Sequence, residues 1–600
     1  MGTPRRHRAP NVSSAHRRIA TAPAVRLALV GALVVAGAVS VAISLTPYET
    51  LKDHLDPFTV DRDADVSRGE FDDIVLRLRV VAAGLLTFGV ALVAFGTTLD
   101  RVVTEVARSW WRSTRRTPAA LREWLANETP WYLASFGLIL AVAVAVRVAF
   151  LDVPLRYDEA TTYDNFVSQP IYVALANYAT PNNHLLHTFL AKVFTTLLGN
   201  EPWAIRLPAL LAGIALIPAT FALGRVLYGH VAALIAASLV ATSSTLVEYS
   251  TNARGYTLVG LATVIAFLAA ARTLDDNSVG AWALVAVAGA LGLYAVPVMI
   301  YPLGGVLLWL LVAGRAAGHP LRPLLERLAA CALAIALLTL VLYAPVYAAS
   351  GVRSVTSNEF VEPQSWSTLL ELLPGHARDT VETWTRDLPI IVSILLAAGV
   401  AASIVLTPRI SRFPIPPLAA VIVWTLPALA LQRIVPFTRV WLFLVPLLAV
   451  TAAGFYGWLL ERLRWGARVA AALAALVAVG AALAVVAEDS VRESRETGAL
   501  LDAPAVADYL AGVVRADDRI LAIGSDTILE YYLERDGVEA GSLIYSDEPR
   551  ARTYVVVNVL GGQSLDDLVR QLHTSSGELG PPELLRSYPS AQVFLVARRG

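Results

Sequence analysis

The chain has 600 residues, of which 56% are hydrophobic and only 16% charged, and its mean hydropathy is +0.58. This much apolar surface behind so few charges excludes a soluble globular protein. The 48 basic and 48 acidic residues give a formal net charge of zero, which argues against nucleic acid as a main partner. Cys331, the single cysteine, cannot form an intramolecular disulfide and lies in an apolar run that predicts a packing role.

Apolar runs recur along the chain, each close to the ~20 residues that a helix needs to cross hydrocarbon. Since helices are the simple spanning solution at this length, the runs predict about 13 transmembrane helices. The predicted spans are 24–45, 79–97, 132–151, 206–226, 231–247, 255–272, 280–296, 299–314, 326–348, 389–407, 417–432, 440–459 and 468–487. A cleaved signal peptide competes with a retained anchor for the first run, whose length favours the anchor. The region 280–314 is also compatible with one re-entrant unit.

Arginine-rich segments orient these spans through the positive-inside rule. Alternating spans place all of the strongly basic segments on one side, namely Arg5, Arg6, Arg8, Arg17 and Arg18; Arg101, Arg108, Arg112, Arg115, Arg116 and Arg122; Arg315, Arg322 and Arg327; Arg409 and Arg412; and Arg462, Arg464 and Arg468. We therefore expect a multi-pass protein of the cell membrane with its N-terminus in the cytoplasm and its C-terminus outside. Two long loops, 152–205 and 349–388, then lie on the external side.

The tail after the last span changes character and predicts a small α/β domain. Strand-like runs at Arg519–Ile523, Thr553–Val559 and Gln592–Ala597 alternate with helix-like stretches near 503–514, 526–534 and 564–573. The predicted fold is thus an all-α polytopic membrane bundle with a small C-terminal extracytoplasmic α/β domain. It divides into an N-terminal extension (1–131) with two transmembrane helices and a basic cytoplasmic linker, a transmembrane core (132–487) and the external tail (488–600).

The first external loop opens with two adjacent carboxylates in the run Arg156-Tyr157-Asp158-Glu159-Ala160. Acidic side chains at a membrane boundary need water, a cation or a partner. The pair is therefore either the hydrated start of a loop, or a carboxylate base or metal ligand above a membrane-embedded substrate.

The same loop carries the run Pro181-Asn182-Asn183-His184-Leu185-Leu186-His187. His184 and His187 share a helix face and could hold a metal, contact a substrate or simply be satisfied interfacial histidines. Arg254 and Arg439, with Arg433 close by, stand at the outer starts of spans, where arginine is disfavoured. They are candidates for phosphate binding, against the alternatives of snorkelling or interhelical packing.

Together these residues resemble the GT-C class of integral-membrane glycosyltransferases, in the protein-mannosyltransferase-like branch that uses polyprenyl-phosphate sugars. The resemblance rests on four elements: Asp158-Glu159 after the first core span, Asn183-His184 in place of an Asn-His-Pro-Pro motif, the run Trp203–Pro208 leading into the next span, and Asn252-Ala253-Arg254-Gly255-Tyr256 as an Ala-Arg-Gly-Tyr element. Leu185 and Leu186 replace the two prolines of the family motif. The match covers about 150–260, and beyond it the likeness is topological.

The resemblance implies transfer of a sugar from a polyprenyl-phosphate donor to a cell-envelope glycan, lipid or protein acceptor at the external face, with inversion. Asp158 would be the general base and Glu159 would position the acceptor or tune Asp158, while Arg254 and Arg439 would neutralise the leaving phosphate. The predicted substrate-binding residues are Tyr157, Asn183, His184, His187, Arg206, Arg254, Tyr256, Arg433 and Arg439. A divalent metal ion stays open as a cofactor, because related enzymes differ.

Three other functions compete with this interpretation. A transporter of lipid-linked substrates predicts charged residues deep within spans and repeated halves, and the sequence has neither. A non-catalytic membrane scaffold would present the tail and make Asp158 and Glu159 expendable. A polymerase or ligase of envelope polysaccharide would share both the lipid-linked substrate and the external chemistry.

Overall fold

The structure, a computed structural model, describes residues 22–55, 58, 66–356, 361–462, 466–494, 496–545, 550–573 and 580–598. The basic N-terminal residues Arg5–Arg18 and Arg464, which contribute to the predicted orientation, lie outside the described residues.

Helices dominate the chain up to Glu488. The first are Ala22–Ser44 (α1), Tyr48–Leu55 (α2), Arg68–Ala94 (α3), Gly96–Asn127 (α4), Pro130–Ala149 (α5), Tyr157–Thr162 (α6), Ile171–Ala176 (α7), Leu185–Leu198 (α8), Pro202–Tyr228 (α9), His230–Thr242 (α10), Ser244–Ser250 (α11), Tyr256–Asp276 (α12) and Val279–Ala295 (α13). They are followed by Ile300–Ala316 (α14), Leu321–Ala349 (α15), Arg353–Thr356 (α16), Trp366–Thr385 (α17), Ile390–Ile410 (α18), Pro417–Gln432 (α19), Leu444–Arg462 (α20) and Ala467–Glu488 (α21). A π-helical turn covers Tyr163–Val167, and 3-10 turns cover Pro297–Met299 and Thr438–Phe443.

Twelve of the 13 predicted spans each coincide with one of these helices and the thirteenth with a pair of them, and the chain is a multi-pass membrane protein. Among the described residues, ten helices are long and apolar enough to cross a membrane by length and composition. The predicted span 231–247 corresponds to α10 and α11, which are bent by 61° at their junction. The other two predicted spans are the shorter apolar helices α13 and α19. Residues 280–314 form two helices, α13 and α14, joined through the turn at Pro297–Met299.

The centre of the bundle is built from α9, α10, α12, α14 and α20, whose inward side chains form one continuous core. Many of these side chains are alanines, and small residues let helices approach closely without a hydrophobic driving force from lipid. The outer helices α1, α3, α15 and α18 instead leave many apolar side chains exposed. Such faces are expected where a helix borders lipid.

The tail folds as the sequence predicted, with two additions, the short helix Gly541–Ile544 and the strand Glu583–Ser587. Its elements are Ala503–Val513 (α22), Arg519–Leu521 (β1), Asp526–Arg535 (α23), Gly541–Ile544 (α24), Arg552–Asn558 (β2), Leu565–His573 (α25), Glu583–Ser587 (β3) and Ala591–Ala597 (β4). The sheet order is β1-β2-β4-β3, with β1 and β2 parallel and the other pairs antiparallel. The sequence analysis missed β3, because this edge strand is largely exposed and lacks an alternating apolar pattern.

The tail does not stand apart from the bundle but packs on the first long loop. Leu155, Val167 and Ile205 share one buried core with Ile528 and Leu529 of α23. The hydroxyl of Tyr532 accepts a hydrogen bond from the Leu155 amide at 3.0 Å, and Arg535 pairs with Glu201 at 3.0 Å. The tail therefore fixes the position of the loop that carries the acidic pair.

The pKa of one acidic side chain in this contact, Asp164, is raised strongly. Asp164, in the π-helical turn, lies near Glu530 and Glu534 of α23. Burial, reinforced by these two negative charges, raises the pKa of Asp164 to about 9. The Asp164 carboxyl is therefore protonated at neutral pH.

Replacement of Gly305 by alanine tests the close packing of the core. A Cβ atom at Gly305 would lie 2.6 Å from the Cα atom of Val421 in α19, so α14 and α19 would have to separate. We expect Gly305→Ala to lower the free energy of unfolding by about 1–3 kcal/mol. The measurement is the thermal unfolding midpoint of the purified protein in detergent.

The matched control is Gly137→Ala in α5, where an added Cβ atom meets nothing within 4 Å. This variant should unfold at or above the temperature of the parent protein. Equal midpoints for the two variants would contradict the packing argument.

Candidate active site

Asp158 and Glu159 are neighbours in the first turn of α6 and have opposite environments. Successive side chains on a helix point in different directions, so only one of the two can face a cavity. The Asp158 side chain is 19% exposed, whereas the Glu159 side chain is completely buried. The structure thus separates two carboxylates that the sequence presented as a pair.

Glu159 forms a buried, two-pronged ion pair with Arg206 at the start of α9. Nε of Arg206 donates to Oε1 of Glu159 at 2.8 Å, and Nη2 donates to Oε2 at 2.6 Å. The backbone N–H groups of Ala253 and Arg156 also donate to this carboxylate, at 2.6 and 2.9 Å. Burial raises the pKa of Glu159, but Arg206 and these hydrogen bonds outweigh it and hold the pKa below its usual range.

Arg206 extends this junction into the loop before α6. Its Nη1 donates to the carbonyls of Leu151 and Val153 at 2.7 and 2.5 Å. The Glu159–Arg206 pair therefore ties together the end of α5, the start of α9 and the segment before Arg254. All acceptor atoms of Glu159 are used within the protein, so this geometry suits a positioning role.

Asp158 faces two guanidinium groups from distant parts of the chain. Its Oδ2 lies 3.9 Å from Nη2 of Arg254 and 3.8 Å from Nη2 of Arg439. Among the described residues this oxygen has no hydrogen-bond partner. The structure thereby brings together three residues that the sequence analysis had selected separately.

Asn182 holds both Asp158 and Arg254, although the sequence analysis had selected Asn183. Nη1 of Arg254 donates to the backbone carbonyl of Asn182 at 3.0 Å and also to its side-chain oxygen. Nδ2 of Asn182 donates to the carbonyl of Asp158 at 3.0 Å. The side chain of Asn183 instead bonds the carbonyls of Ala174 and Asn177 and accepts from Thr188. Asn183 therefore stabilises its own loop through these bonds. The sequence of two adjacent asparagines did not indicate which of them would contact Asp158 and Arg254.

The two histidines, His184 and His187, lie near Arg254 and are neutral. Nδ1 of His184 accepts a hydrogen bond from the Gly255 amide at 2.7 Å, and its ring meets Tyr256 edge-on at 5.1 Å. His187 is completely buried, and neither of its ring nitrogens has a hydrogen-bond partner within the described chain. Burial, and after it the charge of Arg254, lowers the pKa of His187 to about 3. Across the described ranges, no three His, Cys, Asp or Glu side chains are grouped to hold a metal ion.

A segment after the last span closes over α6. We call it the strap, comprising Val491–Ser494 and Glu496–Gly498. The Arg156 guanidinium donates to the carbonyls of Ser494, at 2.6 Å, and Val491. The amides of Tyr157 and Asp158 donate to the carbonyls of Gly498 and Thr497 at 3.1 and 3.3 Å. The strap therefore fixes the backbone that carries the Asp158 carboxylate.

The strap also brings in two carboxylates that the sequence analysis missed. Thr438 donates to Oε1 of Glu496 at 2.6 Å, beside Arg439. Burial raises the pKa of Glu496, although Thr438 and Arg439 oppose this shift. Ser494 donates to Glu248 at 2.6 Å, and Glu248 lies 3.7 Å from Arg156. No local pattern could have revealed these contacts, since Ser494 and Glu248 are 246 positions apart.

Arg433 and Tyr157, which were also predicted to bind substrate, lie outside the group formed by Asp158, Arg254 and Arg439. Arg433 is exposed at the end of α19 in the left-handed conformation (φ 55°), and its carbonyl accepts from Gln364 at 2.7 Å. In the described part of the chain Arg433 makes no ion pair with the Asp158 cluster. Tyr157 is half-buried against Gly498, and burial raises the pKa of its phenol. The structure thus does not bring Arg433 into the site, while Tyr157 lies beside the strap.

Buried polar atoms without a protein partner concentrate around Asp158. Within the described residues they include Oδ2 of Asp158, Nε of Arg254, Nε of Arg439, the hydroxyl of Tyr249 and both nitrogens of His187. Buried polar groups in native proteins are almost always hydrogen-bonded, so this concentration calls for a polar ligand. Each arginine presents Nη2 to Asp158 while its Nε stays unpaired. The cluster can therefore bind an anion and keep a carboxylate beside it.

Replacement of Glu159 by glutamine tests whether Glu159 and Asp158 lie in different environments. Glu159→Gln leaves Arg206 as an uncompensated buried charge, which we expect to cost about 3–5 kcal/mol of unfolding free energy. Asp158→Asn should change stability much less, because Asp158 is partly exposed and its Oδ2 makes no hydrogen bond within the described part of the chain. Thermal unfolding of both purified variants measures the difference. Equal losses of stability would show that the two side chains are not in separate environments.

Comparisons with known proteins agree with this architecture. Residues 181–348 match the dolichyl-phosphate-mannose-protein mannosyltransferase family, a stretch well under half of the chain. A search of curated proteins gave no match. The crystal structure of ArnT from Cupriavidus metallidurans in the apo state superposes with a TM-score of 0.53 at 13% identity, over 79% of this chain and 98% of that one.

The structure of the same Cupriavidus metallidurans protein bound to undecaprenyl phosphate is also similar. It gives a TM-score of 0.51 at 14% identity, covering 76% of this chain and 97% of that one. The resemblance predicted from the sequence is confirmed at the level of fold. The chain has the fold of the GT-C membrane glycosyltransferases.

Proposed function

We propose that the protein transfers a sugar from a polyprenyl-phosphate donor to a hydroxyl group of a cell-envelope glycan, lipid or protein. One observation carries the proposal: the Asp158 carboxylate lies between the guanidinium groups of Arg254 and Arg439, and its Oδ2 accepts no hydrogen bond from any described residue. A carboxylate beside a bipartite cationic site combines a proton acceptor with a phosphate binder. Glycosyl transfer from a lipid phosphate needs both of these groups in one place.

The proposed reaction is a single displacement at the anomeric carbon. The acceptor oxygen forms a bond to that carbon as the bond from the carbon to the phosphate oxygen breaks. The acceptor proton passes to the Asp158 carboxylate, and the polyprenyl phosphate leaves with the bonding electrons. Because attack and departure occur on opposite sides, the product has inverted configuration.

Arg254 and Arg439 stabilise the negative charge that grows on the phosphate as it leaves. Their Nε atoms have no hydrogen-bond partner among the residues that the structure describes, so these donors are available to the phosphate while Nη2 faces Asp158. Guanidinium groups suit phosphate oxygens because they are planar and always charged. Donors held in advance reduce the reorganisation that the reaction requires.

Glu159 positions parts of the protein in this proposal, whereas the resemblance implied that it positions the acceptor or tunes Asp158. Its ion pair with Arg206 and its bond from Ala253 set the distance between α6 and the segment that carries Arg254. Asn182 adds a direct link between Asp158 and Arg254. Both residues act through the groups that they hold.

The similarity of fold supports a lipid-linked donor, since one similar structure contains undecaprenyl phosphate. The arginine distribution supports a site on the external face, with the N-terminus in the cytoplasm and the tail outside. Six of the arginines that predict this orientation lie on α4, which contacts Gly280 at the start of α13 and Phe221 in the second half of α9, away from Asp158.

The test is transfer of labelled sugar from polyprenyl-phosphate donors in membranes that contain the protein or its variants. We expect Asp158→Asn to lower the rate at least about a hundredfold, because general bases contribute about 10²–10⁴. Arg254→Gln and Arg439→Gln should each lower it about 10²-fold. The matched control is Arg433→Gln, an arginine outside the cluster, which should keep most of the activity. Full activity of Asp158→Asn would remove the proposed base.

A chelator arm in the same assay tests the open question of a metal cofactor. Because two arginines supply positive charge at the phosphate position, we expect the rate to survive chelation of divalent cations. Loss of transfer on chelation, with recovery on adding the metal back, would contradict this assignment of the charge stabilisation.

A substitution in the strap tests whether the tail segment is needed for activity. Gly498 has φ +72°, and an added Cβ atom would lie 2.7 Å from Cβ of Tyr157. We expect Gly498→Ala to displace the strap from α6 and lower the transfer rate at least about tenfold. Gly512→Ala, in the tail helix α22 with open space around it, is the control and should be fully active. Equal rates in the two variants would show that the strap does not position Asp158.

A further inference from the structure

Helix α4 lies at the end of the bundle farthest from Asp158. Nε1 of Trp110 donates to the carbonyl of Gly280 at 3.0 Å, at the start of α13. The ring of Trp124 lies 6.3 Å from that of Phe221, in the second half of α9. Since α9 begins beside the Glu159 junction, its second half points away from the site. The span α12 separates the two regions, because it runs from Tyr256 at the site to Asp276 near α4.

The contacts of α4 show that it runs across this end of the bundle. Near its start Asp100 pairs with Arg26 of α1 at 2.9 Å, and farther along it touches first α13 and then α9. A helix of 32 residues is about 48 Å long. Such a helix can contact the ends of several spanning helices in turn only when it lies across them. Its position therefore corresponds to the plane of the membrane surface.

The composition of α4 fits a helix that lies in the membrane interface. Trp111, Leu121 and Leu125 are largely exposed on it, at 52%, 50% and 44%. The same helix carries six arginines between Arg101 and Arg122. Exposed tryptophan and leucine together with a basic face are typical of helices that lie among lipid headgroups.

A cavity of about 540 Å³ lies between α4 and the adjacent ends of α12 and α13. Arg112 and Arg116, one helical turn apart on α4, line one side, and Arg272 of α12 lines the other. Glu105 and Asp276 also line it, and Asp276 pairs with Arg272 at 3.4 Å. Arg112 and Arg116 form no ion pair with a described carboxylate. Two guanidinium groups in this cavity are thus without an anionic partner in the described chain.

Neutral donors add to these charges. Ser113 of α4 lines the cavity next to Arg112, and the Thr117 hydroxyl, next to Arg116, donates to the Ser113 carbonyl at 2.8 Å. The wall opposite them includes Ser278 and Val279, where α13 begins. The Ser278 amide donates to Asp276 and the Ala281 amide to the Ser278 carbonyl, each at 3.0 Å, and the start of the helix carries partial positive charge, which favours an anion. Arginines, a serine hydroxyl and the start of a helix therefore line one cavity. These are groups that bind phosphate.

We propose that this cavity binds the phosphate headgroup of an anionic phospholipid from the membrane leaflet on this side. The headgroup lies against Arg112 and Arg116, and its acyl chains extend into the bilayer beside α4. A lipid is favoured over a free anion because the exposed tryptophan and leucine side chains of α4 place the cavity at headgroup depth. The bound lipid would join α4 to the ends of α12 and α13.

The test is lipid retention by the purified full-length protein, measured by native mass spectrometry after delipidation and titration. The probes are phosphatidylglycerol, phosphatidylcholine and free glycerol phosphate. We expect preferential binding of phosphatidylglycerol, weakened about tenfold or more in the double variant Arg112→Gln/Arg116→Gln. The matched control is Arg101→Gln/Arg115→Gln, which removes the same charge from α4 at positions outside the cavity. Asp158→Asn should bind the lipid like the parent protein, because the two sites lie at opposite ends.

Three results would overturn the proposal. Equal weakening in the two double variants would show that binding follows total charge and not the cavity. Equal retention of phosphatidylcholine would remove the phosphate headgroup specificity, and glycerol phosphate binding as tightly as the lipid would identify a soluble ligand. The variants are compared only after their lipid-free thermal midpoints agree with that of the parent. If the double variant fails this comparison, Arg116→Gln is set against Arg115→Gln by the same criteria.

Discussion

The ion pair between Glu159 and Arg206 is the contact on which the rest of the site depends. It is completely buried, it is two-pronged, and its remaining acceptor and donor capacity is used by backbone groups of the loop and of Ala253. A buried pair of this kind is costly to disrupt, because either partner alone would be an uncompensated charge away from water. Its geometry therefore fixes where α6 begins relative to α9. The direction of the Asp158 side chain follows from that placement.

The separation of Asp158 from Glu159 shows how a helix turns two adjacent carboxylates to different uses. Because successive residues of a helix point in different directions, Glu159 lies in the junction with Arg206. Asp158 faces the two guanidinium groups of Arg254 and Arg439. Nε of each of these two arginines has no hydrogen-bond partner among the described residues. The structural Glu159–Arg206 ion pair and the proposed reactive carboxylate of Asp158 thus lie next to each other.

The tail contributes to this arrangement through the strap. Amides of α6 donate to carbonyls of Thr497 and Gly498, and the Arg156 guanidinium donates to carbonyls earlier in the strap. The buried core shared by Leu155, Val167 and α23 holds the same loop from its other side. The site is therefore assembled from the first long loop, the start of α12, the turn before α20 and the segment that follows α21.

The sequence by itself determined the spans and the mixed tail, and it selected Asp158, Arg254 and Arg439 as candidates for the site. Spans are local: a run of apolar residues long enough to cross hydrocarbon is visible without any knowledge of neighbours, and each predicted span coincides with a helix or, in one case, with a pair of helices. Asp158, Arg254 and Arg439 stood out because charged side chains at the ends of spans need a partner. Only the tertiary structure decided that Glu159 faces inward, that Asn182 and not Asn183 links the cluster, that Arg433 lies elsewhere and that Glu248 and Glu496 belong nearby. Those distinctions depend on helix rotation and on contacts between segments hundreds of residues apart, and neither leaves a local pattern in the chain.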